Sequence, residues 1–311
     1  MPQSFFILSG QHPELARDEI ISITKSYDSN ATFLKDSRLV IVKSTVPWKK
    51  IAKRATFVRI SGIIVSTIDD LLETKLHLAK PKTFACRLIN LSSKRVSAGQ
   101  MESEAGAILM RRWGSKVSLS DPEVTVYLII TDDKKYLGYA QDITEPKRPK
   151  KIIKYPTELD WKLARCMVNL SQLKEGNTLC DSFCGTGTIL LEAESMEIHS
   201  IGIDFDGKMC DIAKKNLAEN GYHSKIINSS YHDIQKIKDK IDGIVTDVPY
   251  GVSSKASMPP KKILQDFLSI VPKKMRVVIV YKKGLDVDEL GKAKKYEIFR
   301  HKSLTRVIAV R

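Results

Sequence analysis

Short apolar runs of strand length recur through the first half of the chain, at residues 5–8, 39–42, 63–66 and 84–89. Each is followed by a segment whose apolar positions repeat at helical spacing. Pro13 opens one such helix, with Ala16, Ile20 and Ile23 at i, i+4 and i+7, and Pro47 opens another, with Trp48, Ile51, Ala52 and Ala55 on one stripe. Further helices are predicted over 69–78 and 102–113. A hairpin follows, its strands at 124–130 and 136–140 flanking Asp132, Asp133, Lys134 and Lys135. These stripes read as core, and no internal repeat is present.

From Leu159 onward a helix is followed by repeated strand and helix units. The strands begin near Thr178, Ser200, Ser224, Gly243 and Val277, and a closing pair lies at 298–301 and 304–310. Alternation of this kind predicts a largely parallel sheet covered by helices, with ligands at the carboxyl ends of its strands. The basic, proline-bearing stretch 145–157 separates the two halves. The expected organisation is therefore an α/β chain with an N-terminal α+β region over 1–144, a linker over 145–157 and a Rossmann-like domain over 158–311.

Composition narrows the partners. The 311 residues suffice for two cores, and 51 Lys plus Arg against 36 Asp plus Glu leave a formal charge of +15. An excess of that size favours a polyanion, because neutralising phosphates releases counterions. Five cysteines, an odd number without a C-x-x-C pair, suggest neither a disulfide framework nor a zinc site, and no metal is expected. Cys180 and Cys184 read as small side chains packed around a ligand. The first residues lack a charged segment followed by a long apolar one, and no run approaches a membrane span. A soluble protein of a reducing, cytoplasmic compartment is expected.

The candidate chemistry lies in the second half. A strand at 178–181 runs into Cys184-Gly185-Thr186-Gly187, a glycine turn that permits close backbone approach by a ligand. A second apolar strand ends in Asp204 roughly 20 residues on, where a carboxylate can hold a ribose diol. Ile189 and Leu190 stand where a third glycine of a dinucleotide fingerprint would fall, and no Gly-Lys-Ser/Thr follows for a P-loop.

Further on, Thr246-Asp247-Val248-Pro249-Tyr250-Gly251 closes the apolar run that starts at Gly243. It places a carboxylate, a free carbonyl and an aromatic ring at one strand end, which is equipment for methylating an exocyclic amine. The Asp247 carboxylate and the Val248 carbonyl can each accept one N–H, and Tyr250 can stack on an extruded base. Pro249 biases Val248 towards extended geometry. With this motif downstream, the glycine turn favours S-adenosylmethionine (SAM) over a nicotinamide cofactor.

At this point the chain resembles the tRNA guanine-N2 methyltransferases of archaea and eukaryotes that act on guanosine 10 and carry an N-terminal THUMP domain. The resemblance rests on both motifs above, on Ser9-Gly-Gln-His-Pro-Glu-Leu-Ala, on the stretch from Pro156 through Asp160, Arg165 and Asn169, and on His301-Lys-Ser-Leu-Thr-Arg306. It implies a ferredoxin-like lobe, a THUMP domain over about residues 50–144 and a SAM-dependent methyltransferase domain. It also implies N2-methylguanosine or its dimethyl form as product and tRNA as partner. Some eukaryotic relatives work with a small zinc-containing activator, so a monomer or a heterodimer is expected.

By resemblance, Thr157, Asp181, Phe183, Cys184, Gly185, Gly187, Thr188, Asp204, Phe205, Ser230 and Asp247 line the cofactor site. Asp247, Val248, Pro249 and Tyr250 serve catalysis. Arg111, Arg112, Lys147, Arg148, Lys150 and Lys151 are expected to contact RNA. The chain departs from the family pattern in having Ser182 and Val248 where prolines are usual. Ser230 stands where an acid usually meets the adenine, with Asp233 three residues later. An adenine-N6 methyltransferase of DNA, a ribosomal guanine methyltransferase, and a tRNA-binding protein that has lost catalysis remain alternative readings.

Overall fold

The computed structural model describes residues 3–69, 80–141, 148–155, 158–249, 258–302 and 304–311. The chain divides into two compact units, one of residues 1–53 and 57–146, the other of 54–56 and 147–311. The helix expected at 69–78 lies almost wholly outside the described residues.

The first unit contains, in chain order, β1 (Gln3–Leu8), α1 (Pro13–Tyr27), β2 (Thr32–Asp36), β3 (Leu39–Lys43), α2 (Trp48–Arg54), β4 (Val58–Thr67), β5 (Thr83–Asn90), α3 (Ala98–Trp113), β6 (Lys116–Val117), β7 (Val124–Ile130) and β8 (Lys135–Ala140). The strands form one sheet in the order β2-β3-β1-β4-β8-β7-β5-β6. β4 is the joint: it runs antiparallel to β1 on one side and to β8 on the other. Phe5 of β1 lies over two glycines there, since a Cβ at Gly62 or Gly138 would stand 2.8 or 2.7 Å from its ring. The side-chain stripe of α1 buries Leu15, Ala16, Ile20 and Ile23, as its spacing predicts. α3 starts four residues before the predicted helix, behind Ser97, and stops at Gly114, whose left-handed backbone (φ 63°) ends it.

The second unit contains α4 (Trp161–Leu170), β9 (Thr178–Asp181), α5 (Thr188–Glu194), β10 (His199–Asp204), α6 (Gly207–Ala218), β11 (Lys225–Asn228), α7 (Ile234–Ile237), β12 (Gly243–Asp247), α8 (Pro260–Ile270), β13 (Arg276–Lys282), β14 (Lys294–His301) and β15 (Leu304–Val310). Its sheet has the order β11-β10-β9-β12-β13-β15-β14. The first five strands in that order pair in parallel, and β15 joins β13 antiparallel before pairing with β14. Chain order reverses direction across the sheet between β9 and β12, which is where an open α/β sheet leaves a crevice for a ligand. An apolar cluster from β12, β13 and α8, including Ile244, Val277, Ile279, Leu264 and Phe267, holds that crevice's strands in place. Among the described residues no helix is long and apolar enough to cross a membrane.

Candidate active site

Three carboxylates stand at the ends of the three central strands: Asp181 on β9, Asp204 on β10 and Asp247 on β12. Parallel pairing in register brings these ends to one edge, because Gly202 of β10 lies opposite Asp181 and Ile244 of β12 opposite Cys180.

Asp204 anchors the glycine turn. One of its oxygens accepts the Gly185 N–H at 2.8 Å and the other the Asp206 N–H at 2.9 Å. Burial pushes its pKa up, and those two N–H bonds oppose the shift. Gly187 adopts φ 83° and gives its N–H to the Cys184 carbonyl at 2.8 Å, which closes the turn before α5. Gly185, at φ 49°, has open space where a Cβ would stand. A carboxylate held by two backbone donors, beside a backbone with nothing in front of it, fits a ribose diol and a chain lying across the turn. Phe205, 47% exposed, projects next to Asp204.

Asp181 is buried and serves the frame. Its Oδ1 accepts the Thr246 hydroxyl at 2.6 Å and the Phe183 N–H at 3.2 Å, tying the end of β9 to the end of β12. Desolvation raises its pKa to about 7 against those hydrogen bonds, and Asp247 and Asp204 add to the rise. The Phe183 ring turns to Tyr231 and Phe267, at centroid distances of 5.2 and 5.4 Å. Cys180 and Cys184 are buried, and Cys184 would touch a Cβ at Gly202 at 2.9 Å, so both thiols pack the turn.

Asp247 differs from the other two carboxylates. Part of the residue reaches solvent, yet its Oδ1 is enclosed and has no hydrogen-bond partner among the described residues. Desolvation raises its pKa to about 7, opposed by the charge of Arg306. A buried acceptor without a donor costs free energy unless a ligand supplies one. That oxygen fits the N–H of an amine. The next residue, Val248, is buried and gives its N–H to Val280 at 2.9 Å. Tyr250 and Thr157 lie outside the described residues, as does Lys147.

Beyond β11, Ser230 caps a short 3-10 turn, Tyr231–Asp233. Its hydroxyl lies 2.8 Å from His232 Nδ1, while His232 Nε2 lies 2.8 Å from the Asp266 carboxylate and the Tyr231 hydroxyl donates to the same oxygen at 2.7 Å. If His232 directs its Nε2–H at Asp266, the Ser230 hydroxyl donates to Nδ1, and the serine oxygen also accepts the His232 backbone N–H. Asp233 spends its carboxylate on Lys236 at 2.8 Å. The Asp266 and His232 partnership is invisible in the sequence because it spans 34 residues and carries no motif.

The expected RNA cations separate into different environments. Arg111 and Arg112 are exposed in the last turn of α3. Lys150 is exposed and pairs with Glu219 at 2.6 Å. Arg148 lies over the Trp161 ring, 3.3 Å from its centroid. Lys151 requires a correction: only 9% of its side chain is exposed, and its ammonium bonds Glu158 at 2.6 Å, Thr186 at 2.7 Å and the Thr188 hydroxyl. It is a strut between the stretch before α4 and the glycine turn. Burial lowers its pKa, and Glu158 opposes the shift.

Lys151→Met is expected to cost about 2–3 kcal/mol in chemical denaturation. The value falls below that for removing one partner of a fully buried pair because Glu158 keeps 21% of its side-chain surface exposed. An unchanged denaturation midpoint would show that the strut contributes nothing.

Comparisons with known proteins find a methyltransferase domain and relatives that span nearly the whole chain. A family model described as an RMKL-like methyltransferase domain matches residues 148–302, and one described as a DNA methylase matches 17–215. The second match ends before β12 and so does not include Asp247. The chain is 31% identical over 329 residues to a tRNA (guanine(10)-N2)-dimethyltransferase of Methanothermobacter thermautotrophicus, covering 98% of this chain and 97% of the relative. It is 27% identical to the enzyme of the same name from Methanocaldococcus jannaschii, with 98% of each chain covered. The crystal structure of TrmN from Thermus thermophilus has the same fold, with a TM-score of 0.57 at 17% identity over 100% of this chain and 99% of that one.

Proposed function

The chain belongs to the tRNA (guanine(10)-N2)-dimethyltransferase family, and from that premise we infer that it methylates the N2 amine of guanosine 10 in tRNA, twice in succession. It is a SAM-dependent tRNA guanine-N2 methyltransferase; the position and the second methyl group are this proposal's own. The observation that carries the chemistry is the enclosed Asp247 Oδ1 at the end of β12, an acceptor without a donor among the described residues.

SAM, when bound, supplies an electrophilic methyl group. The chain's residues prepare the nucleophile. The lone pair of an aromatic amine is conjugated into its ring, so drawing on its N–H bonds favours the pyramidal, nucleophilic form. Asp247 accepts one N–H and the Val248 carbonyl the other, both fixed where positive charge develops. Asp204 and the turn at Gly185 hold the cofactor, and the Thr246 to Asp181 bond keeps the two strand ends in step. The proton that the amine sheds can pass to Asp247 and on to water, since a pKa of about 7 suits both directions near neutrality.

Only ionised Asp247 carries the negative charge that opposes the positive charge developing on the amine, which sets the pH dependence. With its pKa raised to about 7, turnover should fall about tenfold for each pH unit below neutrality and level off above it. Single-turnover rates with saturating SAM and tRNA measure this, and a flat profile between pH 5 and 8 would remove Asp247 ionisation from the rate.

The functional test uses purified protein, SAM and unmodified tRNA transcripts carrying guanosine or adenosine at position 10, with nucleosides read by mass spectrometry. N2,N2-dimethylguanosine from the guanosine transcript alone establishes site, product and independence of any activator. Methylation of the adenosine transcript or of DNA instead would overturn the reading.

A further inference from the structure

A second recess lies in the methyltransferase unit, beside the glycine turn and apart from the three strand-end carboxylates. It encloses about 290 Å³, with Leu159 and Leu191 in its floor, Trp161 in its wall and Thr188 shared with the turn. Its mouth carries Arg148, Lys154 and Arg300, all exposed. They come from the segment before α4 and from β14, so only the folded chain brings them together.

The carboxylates lining the same recess are already engaged. Glu158 accepts from Lys151, Tyr155 and Thr186, Glu192 pairs with Arg165 at 3.1 Å, and Asp160 caps α4 by accepting the Lys162 N–H. Arg148, Lys154 and Arg300 form no ion pair with a carboxylate among the described residues. Arg148 is instead oriented by Trp161, on whose ring it rests. Arg148 also acts on the Glu192 carboxylate, but with Lys154 and Arg300 it leaves the mouth positively charged, which an anion would neutralise.

We propose that this recess binds a backbone phosphodiester of the tRNA, flanking the guanosine that is methylated. The inference rests on the functional reading above and adds to it a contact that fixes the RNA strand. A phosphodiester suits the site because the cations are at the rim, where a polymer passes, and the lining beneath them mixes apolar and polar side chains. Arg148, resting on the Trp161 ring, and Arg300 each offer a planar guanidinium fork to phosphate oxygens, and Lys154 adds a point charge. Thr188 is both a wall of this recess and the first residue of α5 after the glycine turn. The bound phosphate is thereby placed next to the cofactor turn.

The test compares wild type with Arg300→Ala, Lys154→Ala and the combined variant, using a full-length tRNA transcript and the intact protein. Affinity is measured by fluorescence anisotropy over a series of potassium chloride concentrations, and S-adenosylhomocysteine affinity by calorimetry. The combined variant should bind tRNA about tenfold more weakly, with a salt slope shallower by about one. Its S-adenosylhomocysteine affinity should be unchanged.

A set of synthetic RNAs with one neutral methylphosphonate linkage each, on either side of the target guanosine, then locates the contact. One linkage should weaken wild-type binding and have no further effect on the combined variant. If the variant keeps full tRNA affinity and slope while wild type methylates tRNA, the recess does not hold RNA and the functional reading stands. If S-adenosylhomocysteine affinity falls instead, the anion held is part of the cofactor. A wild-type protein that neither binds nor methylates tRNA would overturn the functional reading and this contact together.

Discussion

Asp247→Asn is expected to lower kcat by about 100- to 1,000-fold, the usual effect of removing one fixed electrostatic partner of a transition state. SAM affinity should stay close to that of wild type. The Asn side chain keeps the size and one acceptor of Asp but loses the charge that opposes the positive charge developing on the amine. Near-normal turnover would remove Asp247 from the mechanism, and a parallel loss of SAM binding would make it a cofactor ligand.

The same substitution has an opposite effect on stability, and the sign follows from the raised pKa. In the unfolded chain an Asp ionises near 3.9, whereas in the folded protein burial holds Asp247 protonated up to about 7. The folded form therefore binds the proton more tightly, so this group's contribution is most favourable below about pH 4. It declines as pH rises to about 7 and then stays constant. Asn is never charged, so Asp247→Asn should melt higher than wild type at pH 8, with the gap much narrower at pH 5. Thermal scans at the two pH values decide this; a variant that melts lower at pH 8 would mean that Asp247 has a stabilising partner in the native state. A carboxylate that costs stability where the enzyme must work is expected of a group retained for its chemistry.

Much of this site is legible in the sequence because its chemistry sits at the ends of short apolar strands. The runs ending at Asp181, Asp204 and Asp247 are local patterns, and a parallel sheet carries such ends to one edge without further information. Other features depend on partners far along the chain. Lys151 reads as a solvated cation in a basic stretch, and only folding brings Glu158, Thr186 and Thr188 around it. Arg306 lies in the tail motif, and its electrostatic effect on Asp247 follows from β15 pairing with β13, with Arg306 opposite Lys282.

In the first unit β2 is missing from the sequence reading because Thr32–Asp36 has no buried face to impose alternation. The stripe assigned to α2 also proves narrower than its spacing suggests. Ile51 is fully buried, while Trp48 and Ala52 are half-buried and Ala55 lies beyond the helix end. A seven-residue helix covers too little surface to bury a full stripe.

Asp204→Ala is expected to weaken SAM binding by about 100-fold or more, a larger effect on affinity than any change at Asp247. Two losses combine. The variant lacks the carboxylate that fits the ribose diol, and it leaves the Gly185 and Asp206 N–H groups without their acceptor. Gly185 then has no bond holding it at φ 49°, so the turn must be reordered by the ligand at the ligand's expense. Asp204→Asn separates the two losses, because its amide oxygen can still accept one N–H while its NH2 group faces the other donor. Calorimetry with S-adenosylhomocysteine should place Asn between wild type and Ala. If Ala binds as tightly as wild type, the diol is held elsewhere and Asp204 only shapes the turn. If Asn and Ala are equally weak, the charge on the diol, rather than the order of the turn, dominates recognition.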